Sequence, residues 1–485
     1  MTTTSFFWHD YETFGTDPQR DRVCQFAGIR TDLDFNPIEA PVMLYCQVAA
    51  DYLPQPEACL ITGITPQIAN ENGVCEAEFT RTIHQQLAEP GTCSLGYNTL
   101  RFDDEVTRNL LYRNFYDPYA REWQNHNSRW DMIDIARAAR ALRPEGINWP
   151  VNAEGITSFR LEELTKANGI SHKGAHDALV DVYATIALAK LINEKQPRLF
   201  SFLFENRNKA AAQKLLQVGS YKPLVHISGR FPARKNCLAI VLPLCQHPTH
   251  NNEVVVYDLA VDPEPLLTLS ADEIKQRLFV ATEDLPAGVE RIPLKTIHIN
   301  KCPVLAPLSV IKPADAERLQ LNLEQSASYV QRIQAAGALF QKLSDVYQQE
   351  YAGNPNSDPD LMIYSGGFLG GKDKAQLVKI QNTDPAQLGQ LPSHFDDDRL
   401  AEMLFRYRAR NYTETLNNSE LQQWHQFCAA RLQQTDSNKT LSFATFYQKI
   451  QHLQSEHGTE QPILLQLIAY AEQLKSLHAG YLQAD

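Results

Sequence analysis

Three textures of hydrophobic and polar positions succeed one another along the chain. Through about residue 195, short apolar runs alternate with amphipathic stretches. Residues 5–9, 25–30, 42–47 and 93–97 are rich in aromatic and aliphatic side chains and predict strands. Residues 77–87, 104–115, 133–141 and 176–191 carry apolar side chains at three- and four-residue spacing and predict helices, the last rich in Ala and Leu. Strands interleaved with helices imply a sheet flanked by helices.

After Gln196-Pro197 the texture changes. Runs at 224–227, 238–242 and 254–257 are β-branched and broken by Gly, Pro and Asn, as in a small β barrel. Ser270-Ala-Asp-Glu273 is a capping box that opens a helix through Leu278, and 326–351 is a long amphipathic pattern. A linker-like stretch at 352–359 leads into four helical patterns at 398–412, 419–434, 441–456 and 462–481. The expected organisation is an α/β domain over 1–195, a β-rich domain with helices over 196–352 and an all-α domain over 353–485. A length of 485 residues suits three such parts.

Composition bounds the function classes. The chain is 43% hydrophobic and 21% charged, ordinary for a folded protein with a sizeable core. A formal charge of −12 argues against a surface that binds polyanions everywhere and leaves room for a local basic groove. The nine cysteines form no CxxC pair, which favours a reducing compartment over a disulfide framework. No signal peptide or membrane-spanning window is present in the sequence, so a soluble, cytoplasmic protein is expected.

Three constellations could carry chemistry. Asp10 and Glu12 stand two residues apart beside the first apolar run, so on a strand they share a face and can serve hard divalent cations together. Taken alone, they equally suit a solvated strand end. Asp103, closing Asn98-Thr-Leu-Arg-Phe-Asp103, could add a third carboxylate; it or Asp104 could instead cap the following helix. In His176-Asp-Ala-Leu-Val-Asp181 an imidazole able to take a proton from water precedes two carboxylates. Helix-start capping is the plain alternative there. Asp177 and Asp181 are rivals on spacing alone.

In this order the three constellations resemble the DEDDh 3′→5′ exonucleases. Longer stretches, among them His9-Asp-Tyr-Glu-Thr-Phe-Gly15, Arg113-Asn-Phe-Tyr-Asp-Pro-Tyr119, His298-Ile-Asn-Lys-Cys-Pro-Val304 and Tyr407-Arg-Ala-Arg-Asn411, resemble the bacterial exonuclease I family over nearly the whole chain. The resemblance implies an α/β RNase H-like exonuclease domain, an SH3-like β-rich domain and an all-α C-terminal domain. It implies a processive exodeoxyribonuclease of DNA repair and recombination that releases 5′-mononucleotides from the 3′ end of single-stranded DNA. Two Mg2+ ions, with Mn2+ able to substitute, are the implied cofactors. The family pattern picks Asp181 over Asp177, with Asp10, Glu12 and Asp181 on the metals, Asp103 completing the set and His176 as general base. It also places Glu12 on the terminal 3′-hydroxyl and Arg160 on a substrate phosphate.

For the DNA strand, phosphates need Lys or Arg and unpaired bases stack on rings. Arg108, Arg113, Tyr119, Trp123, Arg129 and Trp130 form such a cluster, residues 405–412 a second, and Lys209 with Asn300 add contacts from the middle domain. The resemblance further implies a monomer that binds the acidic C-terminal tail of single-stranded DNA-binding protein, through Arg143 with Lys222 and Lys312. If the two extra domains enclose the strand, deleting residues beyond about 352 should leave some hydrolysis and shorten each processive run.

Two motifs look like decoys. Gly366-Gly-Phe-Leu-Gly-Gly-Lys372 nearly writes a phosphate loop after a strand-like 361–364, but Asp373 stands where Ser or Thr should. Cys245, His247 and His250 have metal-like spacing without a partner pair, which argues against zinc. The alternatives to a deoxyribonuclease are a binding or tethering factor on a degenerate nuclease scaffold, which the intact acidic set opposes, and an exoribonuclease of the same superfamily.

Overall fold

The computed structural model describes residues 4–172, 174, 176–337, 339–348, 358–391, 394–433 and 441–482. Most of the expected linker at 352–359 lies outside these. The chain divides into two compact units, one of Met1–Ser128, Lys173–Tyr183 and Gly353–Asp485, the other of Arg129–His172 and Ala184–Ala352.

In the first unit, strands β1 (Ser5–Thr13), β2 (Val23–Thr31), β3 (Val42–Tyr45) and β4 (Thr92–Gly96) lie in the order β3-β2-β1-β4. The β1–β2 pair is antiparallel, with Asp10 opposite Ala27 and Glu12 opposite Gln25, whereas β1 and β4 run parallel. A parallel pair needs a crossover, which the helix Glu76–Ala88 helps to supply. Strand β1 extends past the apolar run through Thr13, so Asp10 and Glu12 lie within it rather than beyond its end. A Cβ at Gly96 would meet the His9 carbonyl at 2.5 Å, so only glycine lets the end of β4 approach β1 this closely.

One core of this unit packs Phe7, Phe26, Phe79 and Leu110. A second joins Phe14, Leu53 and Ile64 to Phe446, Leu464 and Leu467 of the helices Phe443–His457 and Pro462–Leu477. A buried ion network reinforces that join: Arg410 donates to Asp51 at 2.9 Å and to Asp360 at 2.7 Å, and Arg113 to Glu76 at 3.0 Å. The C-terminal helices are thus part of this unit's interior. Removing residues beyond about 352 strips apolar cover from Phe14 and Leu53 and leaves Asp51 without Arg410, so the expectation that hydrolysis survives this deletion is revised to loss of the folded unit.

The glycine-rich decoy is explained by packing. The expected strand-like 361–364 is not a strand, and Pro359–Leu361 is a short 3-10 helix. A Cβ at Gly366 would lie 1.7 Å from an Arg399 nitrogen, so that glycine makes room for the arginine. Asp373 is buried and accepts the Asp396 N–H at 3.0 Å.

Strand β5 (Ser128–Asp131) carries the chain into the second unit. There β6 (Leu224–Ile227), β7 (Leu238–Gln246), β8 (Glu253–Asp258), β9 (Leu294–His298) and β10 (Val304–Pro307) form an antiparallel sheet ordered β10-β6-β7-β8-β9. The helix Met132–Leu142 packs on β6 and β10. The Ser270 capping box opens the helix Ala271–Leu278 as expected. The described part of the long amphipathic pattern over 326–351 is carried by two helices, Leu323–Ala335 and Leu339–Tyr347, with Gly337 between them at φ +68°. Among the described residues no helix is long and apolar enough to cross a membrane.

Candidate active site

Strand parity sets the first two carboxylates on one face of β1. Gln25, facing Glu12 across the ladder, accepts the Ala178 N–H through its side-chain oxygen at 3.2 Å. That bond pins the start of the helix Ala178–Lys195 beside β1 and delivers Asp181, one turn in, to the same face. Ligand atoms of Glu12, His176 and Asp181 lie within 4.8 Å of one another.

The structure separates the two rival aspartates. Asp177 Oδ1 accepts the N–H groups of Leu179 and Val180 at 3.1 and 3.3 Å and so caps the helix, while Asp181 joins Glu12 and His176. His176 precedes the helix rather than starting it and has φ +69°. A non-glycine residue in this region stores strain of about 1–3 kcal/mol, and such residues cluster at functional sites.

Asp103 is the first residue of the helix Asp103–Arg113 and is buried. Its neighbour Asp104 is spoken for by Arg121 at 2.6 Å, both side chains being almost wholly buried. The N-cap position is held by Phe102, which makes no side-chain cap. Burial first, and then the charges of Asp103, Glu12 and Asp181, drive the Asp10 carboxyl well above the usual carboxylate range. Burial, followed by Asp181, Asp103 and Asp177, pushes Glu12 up to about 8. Four carboxylates that repel one another in a buried setting, with an imidazole beside them, are a donor set for hard divalent cations. Beside them opens a cleft of about 950 Å³ lined by Tyr11, Glu12, Arg20, Phe102, Glu105 and Lys449.

The expected DNA contacts divide. Trp123 is 66% exposed and Tyr119 half-buried, while Lys209, Asn300 and Arg160 are exposed. The Arg160 guanidinium lies 3.7 and 3.8 Å from the carboxylates of Glu162 and Glu163. Four others are corrected, the first being Arg113, which is buried and donates to Glu76 at 3.0 Å. Trp130 is buried, with its ring 4.9 Å from Phe200 and 5.2 Å from Phe204, so no base can stack on it. Arg108 is buried and ion-paired to Glu105 and Glu122. Arg129 is buried and donates to the Asn300 carbonyl at 2.9 Å, which makes it a support for Asn300. In the 405–412 run, Arg406, Arg408 and Arg410 are likewise buried in ion pairs.

Of the expected tail-binding residues, Lys222 and Lys312 are exposed, and Arg143 sits 3.5 Å from Asp315. Arg318 shares Asp315 at 3.1 Å, a second arginine that the linear sequence did not mark. Also unmarked were Gln25, whose signal was its ladder position opposite Glu12, and Phe368, which is 98% exposed within the glycine-rich run.

A strand-borne carboxylate pair, met by a helix-borne aspartate and a histidine, is an exonuclease-type site, and the exonuclease family model matches residues 7–189. The models for the exonuclease I SH3-like domain and C-terminal domain match residues 207–349 and 357–474. The chain belongs to the exonuclease I family. It is 49% identical over 421 residues to exodeoxyribonuclease I of Escherichia coli, covering 87% of this chain and 88% of that one. With the Haemophilus influenzae enzyme it shares 43% over 473 residues, 97% and 98% of the two chains. Exonuclease I of Methylocaldum szegediense superposes with a TM-score of 0.92 at 50% identity, over 97% of this chain and 99% of that one. E. coli exonuclease I bound to a dA16 oligonucleotide gives 0.93 at 45%, over 97% and 100%. The same enzyme is known with zinc and single-stranded DNA, and exonuclease I is known with SSB. The RNase H-like, SH3-like and all-α succession is therefore this chain's fold, and the chain is an enzyme.

Proposed function

We propose that this chain hydrolyses single-stranded DNA from the 3′ end, processively, to 5′-mononucleotides, in DNA repair and recombination. The observation that carries the reading is the convergence of Glu12, His176 and Asp181 at one face of β1, with Asp10 and Asp103 near enough to repel them. The DNA-bound relatives support the substrate. The mutual repulsion of the carboxylates fits two divalent cations, Mg2+ with Mn2+ as substitute, and the zinc-bound relative supports a metal there.

Such cations, when bound, neutralise charge on the phosphoryl oxygens and favour the attacking hydroxide. Asp10, Glu12 and Asp181 hold them, and Asp103 completes the set. His176 takes the proton of the attacking water, and Glu12 also accepts the terminal 3′-hydroxyl. Arg160 meets a phosphate, and Trp123 and Tyr119 offer rings to unpaired bases. Lys209 and Asn300 extend the track. Arg143, with Lys222 and Lys312, binds the acidic tail of single-stranded DNA-binding protein, a reading supported by the SSB complex of a relative.

We assign the domain limits 1–195, 196–352 and 353–485, a monomer and a cytoplasmic location, the last supported by the buried thiols of Cys24, Cys46, Cys59 and Cys428. The test is product release from 3′- and 5′-labelled single strands, matched duplex and RNA, with Mg2+ or EDTA. Metal-dependent mononucleotides from the 3′ end of single-stranded DNA support the reading. Binding without cleavage, or faster cleavage of RNA, overturns it.

A further inference from the structure

A second cluster of metal-binding side chains stands in the β-rich sheet. Glu253 opens β8 directly opposite His298 of β9, so the two side chains share a face. On its other side, one step beyond the ladder pair Gln246–Val254, the His247 N–H donates to the Glu253 carbonyl at 2.9 Å. His247, Glu253 and His298 thus form a row across three neighbouring strands. The hairpin 247–252 folds His250 over the row, its ring stacked 4.5 Å from that of His247.

Glu253 Oε1 lies 3.6 Å from His250 Nδ1 and 3.5 Å from His298 Nδ1. Donor atoms of His247, His250 and Glu253 fall within 4.8 Å of one another. Neighbouring ligands around a tetrahedral ion with bonds of about 2.0–2.1 Å stand about 3.3 Å apart, so small rotations suffice for these three side chains, and His298 is already at this spacing from Glu253. Imidazoles with one carboxylate are the donors that zinc and its first-row neighbours prefer. Cys245, closest in sequence, is turned into the apolar core and takes no part. The linear spacing of Cys245, His247 and His250 lacked partners because Glu253 and His298 arrive only through strand pairing.

We propose that His250, Glu253 and His298, with His247 as fourth donor, form a binding site for a zinc-class divalent ion separate from the nuclease carboxylates. His247 Nδ1 receives the N–H groups of Thr249 and His250 at 3.3 and 3.1 Å. These long contacts orient the ring in the free protein and are given up when it coordinates.

The probe is Co2+ alone, offered to the full chain carrying Glu12→Gln and Asp181→Asn so that the nuclease centre is disabled. Equilibrium dialysis should find one tightly held ion with the intense visible bands of tetrahedral nitrogen and oxygen coordination. Adding Glu253→Gln or His250→Ala should weaken it on the order of 100-fold. His250 is exposed at a hairpin tip, so an unchanged metal-free melting temperature checks that its variant folds. No Co2+ retained by the nuclease-disabled chain, or retention indifferent to Glu253→Gln, overturns the proposal.

Discussion

Two regions of the first unit bury charge in opposite ways. At the face of β1, Asp10, Glu12, Asp103 and Asp181 are all acidic, and Glu12 is pushed up to about 8 by burial and its neighbours. Around Arg410, acids and bases alternate. Against the upward push of burial, Arg113 and Arg22 hold Glu76 down at about 2, and Arg410 with Arg22 keeps Asp51 below its usual range. Burial is shared, so burial alone does not mark a functional site. What separates the two is whether the neighbouring charges are alike, as around Asp10 and Glu12, or opposite, as around Asp51 and Glu76. The Arg410 network ties the C-terminal helices to the segment that carries Asp51, whereas the β1 cluster sets like charges side by side so that each raises its neighbours.

The comparison breaks most sharply under substitution. Asp181→Asn should cut hydrolysis on the order of 10³-fold or more in single-turnover assays, with little loss of stability. Arg410→Met should do the reverse. It leaves Asp51 and Asp360 short of a partner and should cost about 3–5 kcal/mol in urea unfolding, and activity at low temperature should follow the folded fraction. Trp130→Ala, by emptying a core site, should also register as lost stability, whereas Trp123→Ala should leave stability alone.

The pH dependence should run in opposite directions. Glu76 has a folded pKa below its ordinary value of 4.5, so its contribution is full above that value. It is lost as pH falls toward about 2, a change on the order of 3 kcal/mol. Glu12 has a raised pKa, so in EDTA the folded state holds the extra proton and stability declines as pH rises from about 4.5 to 8. Thermal melts across pH in EDTA check both slopes, and Mg2+ should remove the second. The smallest effect belongs to Trp123→Ala, about 1 kcal/mol in affinity for single-stranded DNA by fluorescence anisotropy.

Much of this was readable from sequence where period and parity decide. The β1 carboxylate pair followed from i, i+2 spacing, and the C-terminal helices from apolar repeats. What escaped depended on contacts remote in sequence. Asp177 and Asp181 are an exception: spacing left them rivals, and the local N–H groups of Leu179 and Val180 that Asp177 accepts separate them. Trp130 and Arg108 had the right residue types for DNA, but type does not reveal that Phe200 and Glu122 had already engaged them. The shared core of Phe14 with Phe446 was hidden for the same reason: the sequence separation exceeds any local pattern.

The most direct test of the central claim joins the two readouts on one protein, Asp10→Asn, with Asp51→Asn beside it. Turnover of 3′-labelled single-stranded DNA in Mg2+ and the melting temperature in EDTA are measured for each. The account predicts that Asp10→Asn abolishes turnover and melts at or above the parent, while Asp51→Asn melts well below it. Turnover persisting in Asp10→Asn, or a fall in its melting temperature to match that of Asp51→Asn, would contradict the claim that the like-charged cluster at β1 serves catalysis rather than stability.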